Sequence, residues 1–187
     1  MPMDGKGIEE LKQEAYEQTR KYLTWEDHLK LVRLLTDNGF WTAPASTKYH
    51  GNYPGGLAEH SMTVAKNLVM LTDKLGLKWQ KERSPFIIGL LHDVCKMDLY
   101  KLIGTENGYQ YAYANDSIYS HHGEKSICVL ASCLTLTEEE IACIRWHMGA
   151  YETDTNEWKY YGNAIAKYPN VLWTHTADMM ASHIDGV

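Results

Sequence analysis

The chain has 187 residues, 44% of them hydrophobic, enough for one well-packed domain and too few to expect two. Its 18 Lys and Arg against 24 Asp and Glu leave a net charge of −6, which weighs against non-specific duplex binding, since that depends on clustered basic residues neutralising phosphates. A small phosphorylated substrate is compatible with this charge. Met1-Pro2-Met3-Asp4-Gly5-Lys6 lacks the apolar core of a signal peptide, and the longest aliphatic run, Phe86 to Leu91, is too short to span a bilayer; the expectation is a soluble cytoplasmic protein with no membrane partner.

Ile8 to Leu23 is charged and weakly amphipathic and reads as a surface helix or arm. Thr24-Trp25-Glu26-Asp27 starts a second helix with an N-cap and an acidic first turn, ending at Asn38-Gly39. Residues 1–40 are thus two helices packed on a main body of residues 41–187, within one compact domain. His28 is given no chemistry. Between Trp41 and Gly56, Pro44, Pro54 and several glycines forbid regular helix; the run Tyr49-His50-Gly51-Asn52-Tyr53 suits a substrate-facing loop as well as an ordinary connection. Leu57, His60, Val64, Leu68, Leu71 and Leu75 then step by three and four along one helical stripe to about Gly76. This places His60 inward, as a satisfied core residue or as a ligand.

The next segment, Ile87-Ile88-Gly89-Leu90-Leu91-His92-Asp93-Val94-Cys95-Lys96, ends an apolar run in an imidazole, a carboxylate and an amine. Buried without partners these groups would cost several kcal/mol each, so something must neutralise them, and a metal ion is the strongest candidate. A helix from Ile87 to Leu99 puts Ile88, His92, Cys95 and Leu99 on one face, with Asp93 about 100° round. Beyond it, Tyr100 to Gly104 and Tyr109 to Tyr113 flank Thr105-Glu106-Asn107-Gly108, a strong hairpin signal. A helix opening near Ser120 to Ser126 places His122, Ser126, Val129 and Cys133 together. Thr137-Glu138-Glu139-Glu140 is a capping box leading into Ile141, Ile144 and Met148, with His147 near the end of that helix. Ala150 to Tyr161 is polar and aromatic, as in a mobile loop or lid. A last helix, about Asn170 to Ile184, carries Trp173, Ala177, Met180 and Ile184 on one stripe, with Asp178 beside it, facing solvent or reaching inward as a ligand. The fold class is mainly α, a helical bundle with one small β-hairpin around residues 100–113. Cys95, Cys128, Cys133 and Cys143 form no C-x-x-C pair and read as small buried hydrophobes.

The ordered set His60, His92-Asp93, His122, His147, Asp178, one station per helix, resembles the HD superfamily of metal-dependent phosphohydrolases, whose signature is H…HD…D with further histidines in two-metal members. The contexts Gly55-Gly56-Leu57-Ala58-Glu59-His60-Ser61, Leu91-His92-Asp93-Val94-Cys95-Lys96, His122-Gly123-Glu124-Lys125-Ser126, Arg145-Trp146-His147-Met148-Gly149 and Thr176-Ala177-Asp178-Met179 carry the match over residues 43–184. The resemblance implies that His60, His92, Asp93 and Asp178 hold one metal, with Asp93 bridging to a second held by His122 and His147. In a one-metal site the last two histidines would touch substrate. His121 is the alternative to His122, and a substrate contact otherwise; His50 is a second candidate for the substrate pocket. Imidazole and carboxylate ligands suit iron, manganese, cobalt, nickel or zinc. Lys96 either meets the phosphate or forms a salt bridge to Asp93 or a neighbouring acid.

The implied activity is cleavage of a phosphate ester, of a nucleotide or another small phosphorylated metabolite, by metal-activated water, with Asp93 and Lys96 as catalytic residues. The alternatives are a single-strand nuclease or phosphodiesterase, with Tyr49, Tyr53, Tyr109, Tyr111 and Tyr113 available for base stacking; a non-catalytic ligand-binding module of the same fold; and an oxygenase with a diiron site. Nucleic acid is the less favoured substrate given the acidic charge.

Overall fold

Leu11 and Ala15 form the buried side of an otherwise charged first helix, α1 (Gly5–Tyr22). The Thr24 side chain accepts the Asp27 N–H at 3.2 Å and so caps α2 (Trp25–Asp37), whose Leu31 and Leu35 turn inward. The structure, a computed structural model, describes residues 5–106, 108–114, 116, 118–152 and 156–187. After turns and bends over residues 38–55, α3 (Gly56–Leu75) runs to Gly76, which stops it in the left-handed conformation at φ 64°. Leu57, His60, Val64 and Leu68 are buried as the spacing requires.

The helix expected from Ile87 to Leu99 is not found. All eight residues of α4 (Ser84–Leu91) are buried, His92 caps it, and Asp93 leaves helical geometry at φ −111°, ψ 18° before a short 3₁₀ turn over Val94–Met97. An unbroken helix would hold His92 and Asp93 about 100° apart. The break lets both face one point.

The hairpin is β1 (Tyr100–Thr105) paired antiparallel with β2 (Gly108–Tyr113), Tyr100 opposite Tyr113 and Thr105 opposite Gly108; Asn107 lies outside the described residues. It is followed by α5 (His122–Leu130) and α6 (Glu138–Arg145), the latter opened by the expected capping box between Thr137 and Glu140. On α5 the buried residues are Gly123, Ser126 and Leu130, a face shifted from the expected one: His122 and Val129 are half-buried. Backbone approach explains the shift, for a Cβ on Gly123 would lie 2.4 Å from the Ile144 carbonyl oxygen. The expected loop over 150–161 is a helix in part. After a 3₁₀ turn (Gly149–Glu152), with residues 153–155 outside the described set, α7 (Trp158–Lys167) begins and buries Tyr161 against Trp146, ring centroids 5.6 Å apart. Of the aromatic residues that suggested a lid, Tyr161 serves helix packing, while Tyr151, Trp158 and Tyr160 are exposed.

The last helix, α8 (Asn170–Met180), passes into a π turn over Ala181–Asp185, and its buried residues are Asn170, Val171, Thr174, Ala177 and Asp178. The expected stripe is buried only in part: Ala177 is buried and Trp173 packs against the core, but Ile184 is 76% exposed. The polar members are buried because they are satisfied: Asn170 Nδ2 donates to Lys78 O at 2.7 Å and to Glu139 Oε1 at 2.8 Å, and Thr174 Oγ1 to Asn170 O at 2.9 Å. Cys95, Cys133 and Cys143 are buried free thiols as expected, but Cys128 is exposed.

Among the described residues the fold is thus 61% helix, with eight α-helices and one two-stranded hairpin. α3 lies at its centre, with α1, α4 and α8 packed on it, and side chains from α1 and α2 share one hydrophobic cluster with those of α3, α4, α6 and α8. α4 approaches α3 closely at Gly89, where a Cβ would sit 2.4 Å from Ala65 Cα. That contact brings the end of α4 onto α3. Among the described residues no helix is long and apolar enough to cross a membrane.

Candidate metal centre

Five of the expected ligand residues, each buried, converge where the C-terminal ends of α4 and α6 meet the N-terminal part of α3 and the C-terminal end of α8: His60, His92, Asp93, His147 and Asp178. What each histidine does with Nδ1 decides what its Nε2 can do. His60 Nδ1 lies 3.0 Å from Val187 O, His92 Nδ1 2.8 Å from Gly89 O, and His147 Nδ1 2.7 Å from Ile144 O. A backbone oxygen only accepts, so each Nδ1 carries a hydrogen, and in the neutral ring each Nε2 keeps a bare lone pair. All three lone pairs point at carboxylates. His60 Nε2 is 3.1 Å from Asp178 Oδ1 and 3.8 Å from Asp93 Oδ2, His92 Nε2 3.4 Å from Asp93 Oδ2, and His147 Nε2 3.5 Å from Asp93 Oδ1.

Lone pairs facing anionic oxygens at these distances repel unless a proton or a metal cation lies between them. The three Nε2 atoms and Asp93 Oδ1 are buried and have no hydrogen-bond partner among the described residues. Such orphaned acceptors are costly in a folded protein, and here four of them meet. His60, His92 and Asp178 offer ligand atoms all within 4.8 Å of one another, as do His92, Asp93 and His147. The residues therefore fit a bound metal, with backbone carbonyls in the orienting role usual for metal-bound imidazole. The cysteines do not compete: burial pushes the Cys95 and Cys143 thiols up to about 12, so they stay protonated.

Charge reinforces the geometry. Burial alone would raise the Asp93 pKa, but Lys96 and His92 outweigh it and hold the carboxyl well below its ordinary value. Asp178 is likewise held low against its burial by His60, His92 and His147. Burial would lower His92, yet the Asp93 charge and hydrogen bonding raise it; a field that draws a proton to Nε2 draws a metal cation to the same lone pair. Lys96, 9% exposed, sits on the 3₁₀ turn rather than on a continuous helix, and its Nζ is 2.6 Å from Asp93 Oδ2. The salt-bridge alternative for Lys96 is thus what the structure contains.

No family model matches the chain, and comparison with curated proteins and with solved structures finds no match.

The remaining expected residues lie around this centre. His122 is the first residue of α5, half-buried, and belongs to neither ligand group. His121 caps α5 and lies in a separate group with Glu124 and Glu157, its Nε2 3.3 Å from Glu157 Oε1. Arg145 already meets both acids there, at 3.1 Å to Glu124 and 2.8 Å to Glu157. A guanidinium thus takes the cation's place in that group. His50 stacks on His60 with ring centroids 4.9 Å apart, on a loop closed by Ala45 N–H to Gly51 O at 2.9 Å and Ser46 Oγ to His50 O at 2.8 Å. Burial, then the charges of His60 and Lys96, lower its pKa to about 4, so it is a neutral ring at pH 7. A cleft of about 510 Å³ opens beside Lys96 and Asp178, walled in part by Tyr49, His50, Tyr151 and His175. His175 had no place in the sequence reading; its one signal was its position a helical turn before Asp178.

Proposed function

We propose that this protein is a metal-dependent phosphohydrolase of the HD type, cleaving a phosphate ester of a nucleotide or another small phosphorylated metabolite. One observation carries the reading: three buried imidazoles, each with Nδ1 tied to a carbonyl, present bare Nε2 atoms to a shared carboxylate beside an open cleft. A bound divalent metal would supply Lewis acidity there, polarising a phosphoryl oxygen and lowering the pKa of a water. His60, His92, His147, Asp93 and Asp178 would hold it.

The chain's own residues supply the rest. The backbone oxygens of Gly89, Ile144 and Val187 hold the three rings in the ligating tautomer, so no reorganisation is needed on binding. Lys96 stands between Asp93 and the cleft, where its ammonium can turn from the carboxylate to an equatorial phosphate oxygen and offset the charge that builds up there. Neutral His50 and the rings of Tyr49 and Tyr151 form a weakly polar wall for the organic part of the ester. The test measures metal content and turnover on a panel of phosphomonoesters and phosphodiesters. Metal-loaded wild type should far exceed Asp93→Asn on at least one ester; equal rates on all of them would end the proposal.

One observation favours adding short oligonucleotides to the panel. Tyr100 lies within electrostatic reach of Lys96, and Tyr100, Leu102, Tyr111 and Tyr113 share one face of the hairpin, a row that could stack bases leading to the cleft. Cleavage of oligonucleotides in preference to mononucleotides would move the assignment to the nuclease reading.

A further inference from the structure

His175 lies outside the ligand set, yet its position constrains its chemistry closely. Its Nδ1 is 2.7 Å from the backbone oxygen of His147, itself a ligand residue, so Nδ1 carries the hydrogen and donates it. Gly149 closes over the ring: it has φ +58°, and a Cβ on it would lie 3.1 Å from His175 Cε1. Tyr151 follows at a ring-centroid distance of 6.2 Å. The ring is thus pinned in plane and tautomer, and its Nε2 is left as an acceptor on the wall of the cleft that Lys96 and Asp178 also line. No partner for Nε2 is found among the described residues.

We propose that His175 Nε2 is a specificity-determining acceptor, selecting substrates that carry a hydroxyl or amino hydrogen-bond donor a few bonds from the phosphate. The assignment rests on the phosphohydrolase reading for the placement of the phosphate near Lys96. Lys96 and His175 line the same cleft, so a ligand whose phosphate meets Lys96 presents the carbons next to it to His175. Because the Nδ1 hydrogen is committed to the His147 oxygen, the ring is held in this tautomer and does not switch to suit an acceptor on the substrate. A deoxy analogue would leave Nε2 facing the cleft wall unpaired, and one net hydrogen bond corresponds to about a tenfold change in affinity.

The test uses two ligands that cannot be hydrolysed, a dihydroxybutyl phosphonate and butyl phosphonate, titrated calorimetrically into the full chain with Mn²⁺ present. Wild type should bind the dihydroxy ligand about tenfold more tightly. His175→Asn keeps an N–H where Nδ1 stands and removes the acceptor, so the ratio of the two affinities should fall to near one. His175→Gln keeps an acceptor near the Nε2 position and should retain most of the ratio; it decides the matter if the Asn variant does not fold. A wild-type ratio near one, no binding of either ligand, a ratio unchanged in the Asn variant, or a ratio lost in the Gln variant would each overturn the assignment. Failure of the hydrolysis reading is seen separately, in the comparison of wild type with Asp93→Asn on the ester panel.

Discussion

Stability measured with and without metal puts the candidate centre to a direct test. If the orphaned acceptors around Asp93 form a metal site, an ion that binds only the folded chain stabilises it by about 2.7 kcal/mol at a hundred times its Kd. For a chain of this length roughly 2–4 °C of Tm accompany each kcal/mol, so the shift should be roughly 5–11 °C. Asp93 is the residue to change, since its two oxygens face the Nε2 atoms of His60, His92 and His147. Asp93→Asn removes the charge, and a loss of about a hundredfold in affinity would leave only ~0.4 kcal/mol at the same ion concentration, or about 1–2 °C. The variant should also be weaker without metal, because Lys96, 2.6 Å from Asp93, would lose its partner in a buried setting; a cost of about 3 kcal/mol is expected, partly recovered in Asp93→Asn/Lys96→Met. The assay is a thermal melt of chelator-dialysed protein with Mn²⁺, Fe²⁺, Co²⁺, Ni²⁺ or Zn²⁺ added back. No shift with any of these ions, or an equal shift in Asp93→Asn, would refute the reasoning.

Three structural substitutions test the frame that holds the site. Glu140 is fully buried and accepts from Arg83 at 2.9 and 3.0 Å, from Ser84 at 3.0 Å and from Thr137 N at 2.8 Å; Glu140→Ala should cost about 3–5 kcal/mol in urea denaturation, through the unpaired Arg83 and the lost cap. Thr137→Ala removes only the other half of that cap and should cost about 1 kcal/mol by the same measurement. Gly89→Ala would force α4 away from the backbone of α3 and should lower stability by at least 1–3 kcal/mol; because His92 follows three residues later, the metal-induced Tm rise should shrink as well.

The helical character, the hairpin and both N-caps were legible because each rests on local chemistry: three-and-four spacing, turn residues, and a Thr followed by acidic residues. Among the five candidate ligand side chains that meet at the centre, His60 and His92 were legible from apolar stripes that point them inward and Asp93 from the apolar run it ends, whereas His147 entered only through the resemblance of the ordered set. Asp178 was ambiguous from spacing, and its inward direction was decided by α3 lying against α8. The break after Leu91 was invisible to periodicity, since α4 is apolar all round and no face of it signals a stop. The expected stripe on α8 missed Asn170 and Thr174, which are buried through bonds to distant or backbone partners that no spacing rule contains.

The sequence by itself determined which residue types were available and on which helices they stood. Tertiary structure alone decided that His121 turns to Glu157, that Lys96 pairs with Asp93, and that His175 is fixed to the His147 carbonyl. It also brought the Val187 oxygen to His60, a contact between residues 127 apart in the chain. The physical reason is range: caps and stripes are set by neighbours within a turn or two, whereas the tautomer and direction of a buried imidazole are set by whichever carbonyl the packing brings to it.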